Sequence, residues 1–324
     1  MTIWRDKQVL VTGATGMLGS WLVKRLLCEG AIVKVLIFES PTESELIRSG
    51  DIDRCQSIQG DLRSYPDVSR AINDGALDFV FHLGALTVVS EALDDPIRAL
   101  ETNAMGTAYL FEAIRNSTSN RPGVLVASSD KAYGSAKILP YTEETPLRGE
   151  GPYDVSKSCT DLVARSYFLT YNVPTVIARC GNIYGGGDLN WSRIVPGTIR
   201  DLLKGVQPVI RSNGKYLRDY IYVEDAVDAY LCMAAQMESD EVNGEAFNFS
   251  REEPLSVFEI YKEICISTVG VYVEPVVLGN AQHEITDQHL WSKKAREILG
   301  WESKYPVGEG LRLTVDWYKE FVFK

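Results

Sequence analysis

The stretch that most restricts how this chain can fold is KQVLVTGATGMLGSWLVKRLL, residues 7–27. A short run of β-forming residues stops at Gly13, and a helical pattern starts within a few residues, so strand and helix must be joined by GATGMLG, with glycines at 13, 16 and 19. Glycine has no Cβ, so the backbone there can turn sharply and approach an anion, whose charge then rests on the N–H groups and dipole of the helix start. Gly13, Thr15, Gly16, Met17, Leu18 and Gly19 are therefore candidate contacts to a pyrophosphate. Glu39 stands twenty residues past Gly19, at the end of VKVLIFE. A carboxylate at that strand end accepts hydrogen bonds from a ribose 2'-hydroxyl and repels a 2'-phosphate, which favours NAD over NADP. The plainer reading of the glycines is a tight turn and nothing more; the strand before them, the helix after them and the acid beyond favour the nucleotide.

The rest of the first half repeats that alternation. The runs IVKVLIF, DFVFHLGA and GVLVASS are separated by amphipathic segments such as DVSRAIND and NAMGTAYLFEAIRN. Short buried strands alternating with helices predict βαβ units and an α/β fold with a doubly wound parallel sheet. YDVSKSCTDLVARSYFLTYN has helical spacing with no Gly or Pro inside it, and PTVIARCGNIYG reads as a strand running into a glycine turn. From about residue 187 the elements shorten and Pro and Gly recur. The expected division is a nucleotide-binding domain with the reacting residues over 1–180 and a smaller C-terminal substrate-binding lobe over 181–324, some of whose segments return to the main sheet.

Charge and composition narrow the partners. The chain of 324 residues is 45% hydrophobic and 24% charged, ordinary values for a folded chain, and its formal net charge is −11. With no basic run longer than SKKAR, neither nucleic acid nor an anionic membrane surface is an expected partner. The six cysteines, at 28, 55, 159, 180, 232 and 265, show no C-x-x-C spacing and mostly sit in apolar runs. Buried thiols in a reducing cytoplasm are expected rather than disulfides or metal ligands. The N-terminus lacks the order of a signal peptide, and no run reaches the roughly 18 apolar residues of a membrane span.

Two further stretches carry chemistry. SSDKAYG, residues 128–134, places a hydroxyl, a carboxylate and an ammonium on Ser129, Asp130 and Lys131 directly after the apolar run VLVA. YDVSK places Tyr153 and Lys157 four residues apart on a predicted helix and hence on one face. An ammonium beside a phenol stabilises the phenolate and lowers a pKa that is ordinarily about 10, giving a base for a sugar hydroxyl. In GDL, Asp61 and Leu62 can meet an adenine edge. In HLGA, Leu83 and Ala85 can lie along the cofactor, whereas His82 reads as a core histidine.

Taken together, the glycine turn, the Tyr-x-x-x-Lys pair, TNAMGTAYLFEAIR with Asn103, RDYIYVEDAVDAYL and KKAREILGW resemble the extended short-chain dehydrogenase/reductases that act on nucleotide sugars, from about residue 7 to 319. The resemblance implies a Rossmann-type fold, adds Asn103, Tyr153 and Lys157 to the cofactor contacts, and implies a tightly bound, recycled NAD. Within that group SSDK, GSWL and GNIYGGGD are similar to CDP-glucose 4,6-dehydratases. The implied reaction begins with Tyr153 taking the C4 hydroxyl proton, Ser129 bonding the same oxygen, Lys157 holding phenolate and ribose, and hydride passing to NAD. Asp130 as acid and Lys131 as base, or the two exchanged, then remove water across C5 and C6, and hydride returns to C6 to give a 4-keto-6-deoxy sugar.

For the nucleoside diphosphate the same resemblance points to Asn182, Arg193, Arg211 and Arg218, each arginine having a surface salt bridge as its plainer role. Leu189 stands where CDP-glucose enzymes usually have Trp, and RDYIYVEDA is closer to dTDP-glucose dehydratases and epimerases, so the base stays open among CDP, dTDP, UDP and GDP. The alternatives are a 4-epimerase, which has no use for Asp130 and Lys131 as acid and base, and a non-catalytic nucleotide-binding protein. The resemblance also implies a homodimer through the helices containing residues 95–116 and 153–172.

Overall fold

The structure, a computed structural model, describes residues 3–39, 43–118, 121–280 and 285–322. The glycine turn joins β1 (Gln8–Thr12) to α1 (Met17–Cys28), and the chain continues through β2 (Ile32–Ile37), the one-turn α2 (Glu45–Arg48), β3 (Gln56–Gln59), α3 (Tyr65–Ile72) and β4 (Phe79–His82). Next, α4 (Val89–Asp94) and α5 (Pro96–Leu100) lead through a π-helical turn at Glu101–Met105 into α6 (Gly106–Asn116) and β5 (Gly123–Ala127). The long α7 (Pro152–Tyr171) returns the chain to β6 (Thr175–Cys180). Pro152 stands in its first turn, and Asn172, at φ 53°, ends it in the left-handed conformation.

The second half supplies β7 (Asn182–Tyr184), α8 (Ile194–Leu203), β8 (Val209–Ile210), β9 (Leu217–Arg218), β10 (Tyr220–Tyr222), α9 (Val223–Ala235) and β11 (Ala246–Phe249). It closes with β12 (Leu255–Ser256), α10 (Val257–Val269), β13 (Val276–Val277), β14 (Asp287–Gln288) and α11 (Val307–Val322). The main sheet has seven strands in the order β11-β6-β5-β4-β1-β2-β3, every neighbouring pair parallel. Its central strands are apolar throughout because helices cover both faces: in β1, Val9 and Val11 enter one core and Leu10 the other, all at 0% exposure. A third core, including Tyr184, Tyr222, Ile260, Tyr261, Leu311 and Tyr318, holds the smaller lobe.

From the second half, β11 lies beside β6, and α9 contributes Ala226, Val227 and Tyr230 to the same core as α1. The cysteines depart from the expectation of burial. All six are free thiols, but only Cys180 and Cys265 are buried, and Cys28, the last residue of α1, is exposed. Apolar neighbours in sequence do not bury a residue that falls at a helix end or on a helix's outer face.

Candidate active site

The strand order reverses between β1 and β4, and the crevice outside their C-terminal ends is where such sheets bind ligands. Gly13, at φ +70°, is packed so closely there that a Cβ would stand 2.7 Å from the Gly84 nitrogen; a Cβ on Gly19 would stand 2.1 Å from the Gly13 carbonyl oxygen. Helix α1 opens at Gly16 with no side-chain cap, so its leading N–H groups face the crevice side of the turn without a competing side-chain acceptor. Glu39 is exposed two residues beyond β2. The donor set and the close backbone approach fit a dinucleotide's pyrophosphate and ribose.

From this turn a cleft of about 660 Å³ runs toward the lobe, lined by Gly13, Gly16, Met17, Leu18, Gly19 and Leu83 at one end. Ser129, Asp130, Lys131, Tyr153 and Lys157 also line it, as do Asn182, Arg193, Arg211 and Arg218. Thr15, Glu39, Asp61, Leu62, Ala85 and Asn103 are not part of this lining. Asp61 makes a two-oxygen pair with Arg63, which lies over the Phe38 ring at 5.2 Å. The Asn103 amide is satisfied internally, accepting from Leu86 N at 2.7 Å and donating to Leu86 O and Ser156 Oγ, so it fixes the segment after β4 rather than facing the cleft. His82 is a core residue as expected: Thr107 gives its hydroxyl proton to Asn103 O, which leaves His82 Nε2 as donor to Thr107 and Nδ1 as acceptor from Thr12. Burial pushes the His82 ring down to about 3, so it stays neutral.

The triplet sits where β5 ends. Ser129 caps the short 3₁₀ turn Asp130–Tyr133, accepting from Lys131 N, and its hydroxyl donates to Asp130 Oδ1 at 3.0 Å. Tyr133 anchors that turn: its hydroxyl donates to Asn248 Oδ1 and accepts from Arg179, which forms a two-point pair with Asp161 at 2.8 Å. On α7, Tyr153, Lys157, Asp161 and Ala164 are all buried, the i, i+4 face that meets the sheet edge. The site's chemistry is set by burial. Asp130 is buried and its carboxyl is raised above the ordinary range, burial outweighing the Lys131 charge and the Ser129 hydrogen bond. Burial takes the Lys157 ammonium down to about 8, and that group donates to Ala127 O at 2.8 Å.

The lysine is not what offsets the tyrosine's burial in this structure. Burial pushes Tyr153 up to about 12, and it is Arg193 and a Ser129 hydrogen bond that work against the rise. Sharing a helix face brings the two residues together, but the ammonium bonds a main-chain carbonyl instead of the phenol. The arginines are also engaged within the protein. Arg193 pairs with Asp188 at 3.0 Å, Arg211 donates to Ser192 O at 2.5 Å, and the buried Arg218 donates to the carbonyls of Leu217, Thr286 and Ile285. Their charge still faces the cleft, and Arg218 acts on Asp130.

Two residues beside the cleft escaped the sequence reading. Asp219, beside Gly181, accepts from Leu290 N at 2.6 Å and is raised by burial to about 7. It lies inside the RDYIY run, whose charged pair between apolar residues was the available signal. Gln288, fully buried, accepts from Lys131 Nζ at 2.8 Å across 157 residues, and nothing in TDQHLW marks it.

This geometry has known counterparts. The chain is 30% identical to the CDP-glucose 4,6-dehydratase of Salmonella typhimurium, over 98% of this chain and 92% of that protein, and 28% identical to the UDP-glucose 4-epimerase of Mycolicibacterium smegmatis, over 96% and 98%. Its structure superposes on that of dTDP-glucose 4,6-dehydratase from Streptomyces venezuelae, solved with NAD bound, with a TM-score of 0.86 and 26% identity over 97% of both chains. UDP-glucose 4-epimerase from Thermotoga maritima, solved with UDP-glucose, gives 0.86 at 27% identity over 97% of this chain and 99% of that one. The sequence profile of the GDP-mannose 4,6 dehydratase family matches residues 10–314, nearly the whole span that holds the glycine turn, the triplet and the Tyr-Lys pair, and the chain belongs to that family.

Proposed function

We propose that the protein is a lyase, an NAD-dependent nucleotide-sugar 4,6-dehydratase that converts a nucleoside-diphosphate hexose, CDP-glucose foremost, to the 4-keto-6-deoxy sugar. The observation that carries this reading is Asp130: a buried carboxyl raised above its ordinary range, next to an amine and bonded to the serine beside the tyrosine. Oxidation and reduction at C4 alone need no such acid.

The glycine turn and Glu39 would hold the cofactor, with Asp61, Leu62 and the segment Leu83–Ala85 bordering its adenine and central part. NAD, when bound, accepts hydrogen with its electron pair from C4 and returns it to C6. Tyr153 takes the C4 hydroxyl proton while Ser129 bonds the same oxygen and Lys157 holds the nicotinamide ribose. The C4 ketone acidifies C5–H. Lys131 takes that proton, the C5–H electron pair becomes the C5–C6 double bond, and the C6–O bond breaks as Asp130 gives its proton to the departing hydroxyl, releasing water. Lys131 later returns a proton to C5. Tyr153 is then one proton richer and Asp130 one poorer, and the Ser129 hydroxyl, hydrogen-bonded to Asp130 Oδ1 and acting on Tyr153, links the two. Asn182, Arg193, Arg211 and Arg218 face the diphosphate and sugar.

The same reading divides the chain into a cofactor part, 1–180, and a mainly substrate part, 181–324, and places the enzyme in the cytoplasm. Among the described residues, no helix is long and apolar enough to cross a membrane. It also gives the exposed apolar residues of α5 and α7, including Ile97, Leu162 and Leu169 at 63%, 54% and 64% exposure, a homodimer interface to fill. Light scattering of the purified protein at twice the chain mass checks the dimer. The reaction is tested with CDP-, dTDP-, UDP- and GDP-hexoses in deuterated water: loss of one water with one deuterium gained at C5 is expected from one of them. A product of unchanged mass means a 4-epimerase, and no product from any nucleotide sugar means a binding protein.

A further inference from the structure

We propose that Gln288 is a positioning residue for the elimination step, holding the Lys131 amine in the conformer that faces C5; this rests on the dehydratase reading above. A lysine side chain has four rotatable bonds, Lys131 is only half-buried, and among the described residues no hydrogen bond from its amine stays within its own turn. The selection comes from the other half of the chain, where Gln288 Oε1 accepts from Lys131 Nζ at 2.8 Å and Gln288 itself has 0% exposure.

Gln288 cannot move away easily. On one side β14 pairs in parallel with β9, and the Arg218 guanidinium bonds the carbonyls just before it, at Ile285 and Thr286. On the other side Tyr141 exchanges main-chain hydrogen bonds with His289 and Trp291, and its ring stacks on Tyr133 at 4.9 Å. Tyr133 is the last residue of the turn that carries Lys131. Donor and acceptor are thus mounted on one packed unit of Tyr133, Tyr141 and Leu290.

The acceptor's chemistry matters as much as its position. An amide oxygen fixes one N–H and leaves the nitrogen lone pair free for the cleft, whereas a carboxylate would hold the ammonium as an ion pair. Among the described residues no carboxylate makes an ion pair with Lys131. Lys131 acts on Asp130 of its own turn and on Asp154 of α7, and around these two carboxyls stand Tyr153 on α7, Arg218 on β9, and Tyr141 and Glu150 on the segment between β5 and α7. Asp130 and Asp154 are both raised by burial, which weakens their hold on the ammonium.

The test compares the full-length wild type with Q288M, which keeps the volume and removes the acceptor, and Q288E, which replaces it with a carboxylate. With the nucleotide hexose that the wild type dehydrates, kcat for water loss and the rate of C5 deuterium uptake should fall roughly 10- to 100-fold in Q288M, the size expected from a misplaced catalytic group. KM and the single-turnover rate of C4 oxidation should stay unchanged. In Q288E the acidic limb of the kcat–pH profile should move to higher pH, with activity recovered as pH rises. Wild-type C5 exchange and an unmoved pH profile in both variants overturn the proposal. So does loss of C4 oxidation along with exchange, or failure of both variants to fold, either of which makes Gln288 part of the scaffold. The wild type's product separates the two levels: an epimer from the wild type sinks the dehydratase reading and the inference with it, while normal dehydration by all three proteins sinks the inference alone.

Discussion

Replacing Asp219 with asparagine should abolish a specific pH dependence of stability. Burial raises this carboxyl from 3.8 to about 7, the Leu290 N–H bond resists the rise, and the nearby Asp130 adds to it. A carboxyl whose pKa is higher folded than unfolded binds more protons in the folded state between the two values. Its contribution is therefore complete below the unfolded pKa and is lost as pH rises through about 7. Integrating that difference from about pH 5 to about pH 8 gives roughly 3 kcal/mol lost by the wild type from this group alone. The side-chain amide of D219N would keep an oxygen for Leu290 N and has no proton to lose, so the variant should not share that loss. Urea unfolding of both proteins at the two pH values, compared as a difference, isolates Asp219 from other raised carboxyls such as Glu143 and Asp154. D219N should gain about 3 kcal/mol on the wild type between the two conditions. A difference that is the same at both pH values refutes the reasoning, because it means that the folded protein does not hold this proton.

Three further variants probe separate links. D130N should still oxidise C4 but lose water about 100- to 10,000-fold more slowly, as read by product mass alongside the absorbance of reduced cofactor. G19A puts a Cβ 2.1 Å from the Gly13 carbonyl oxygen, so the purified variant should retain no NAD on gel filtration while the far-ultraviolet dichroism of the sheet persists. D161N leaves the Arg179 guanidinium, in a pair only 5% and 1% exposed, without its counter-charge, and should cost about 3–5 kcal/mol in urea unfolding.

The parts of this site that were legible in the sequence are those fixed by local spacing. Gly13 and Gly19 announce their turn because only glycine tolerates that approach, and Tyr153 and Lys157 share a face because a helix repeats every 3.6 residues. The parallel sheet follows from apolar runs too continuous for a strand with one wet face. What was not legible depends on contacts between distant segments. Gln288 reaches Lys131 only because β14 adds to β9 while Tyr141 bridges to Leu290, and no local pattern encodes that meeting. The partners of Asn103 and Arg218 were hidden for the same reason: a polar residue in a motif shows that something polar is needed, not which atoms will satisfy it.

Tyr153 shows how far such local rules reach. Spacing places an ammonium on its face of the helix, and the ordinary inference is a lowered phenol; the folded site instead raises it to about 12, with Lys157 turned to Ala127 O. At neutral pH a phenol with that pKa is ionised in only about one molecule in 100,000. Base catalysis at C4 is then favoured by any further positive charge brought into the cleft, which an oxidised nicotinamide would supply. Ultraviolet difference titration, with Y153F as the blank, measures this directly. The pKa of Tyr153 should fall by at least about two pH units on NAD binding, equivalent to about 3 kcal/mol of added phenolate stabilisation. A value unmoved by NAD would mean that Tyr153 remains a proton donor in the working enzyme, and the C4 proton would have to leave by Ser129 toward another acceptor.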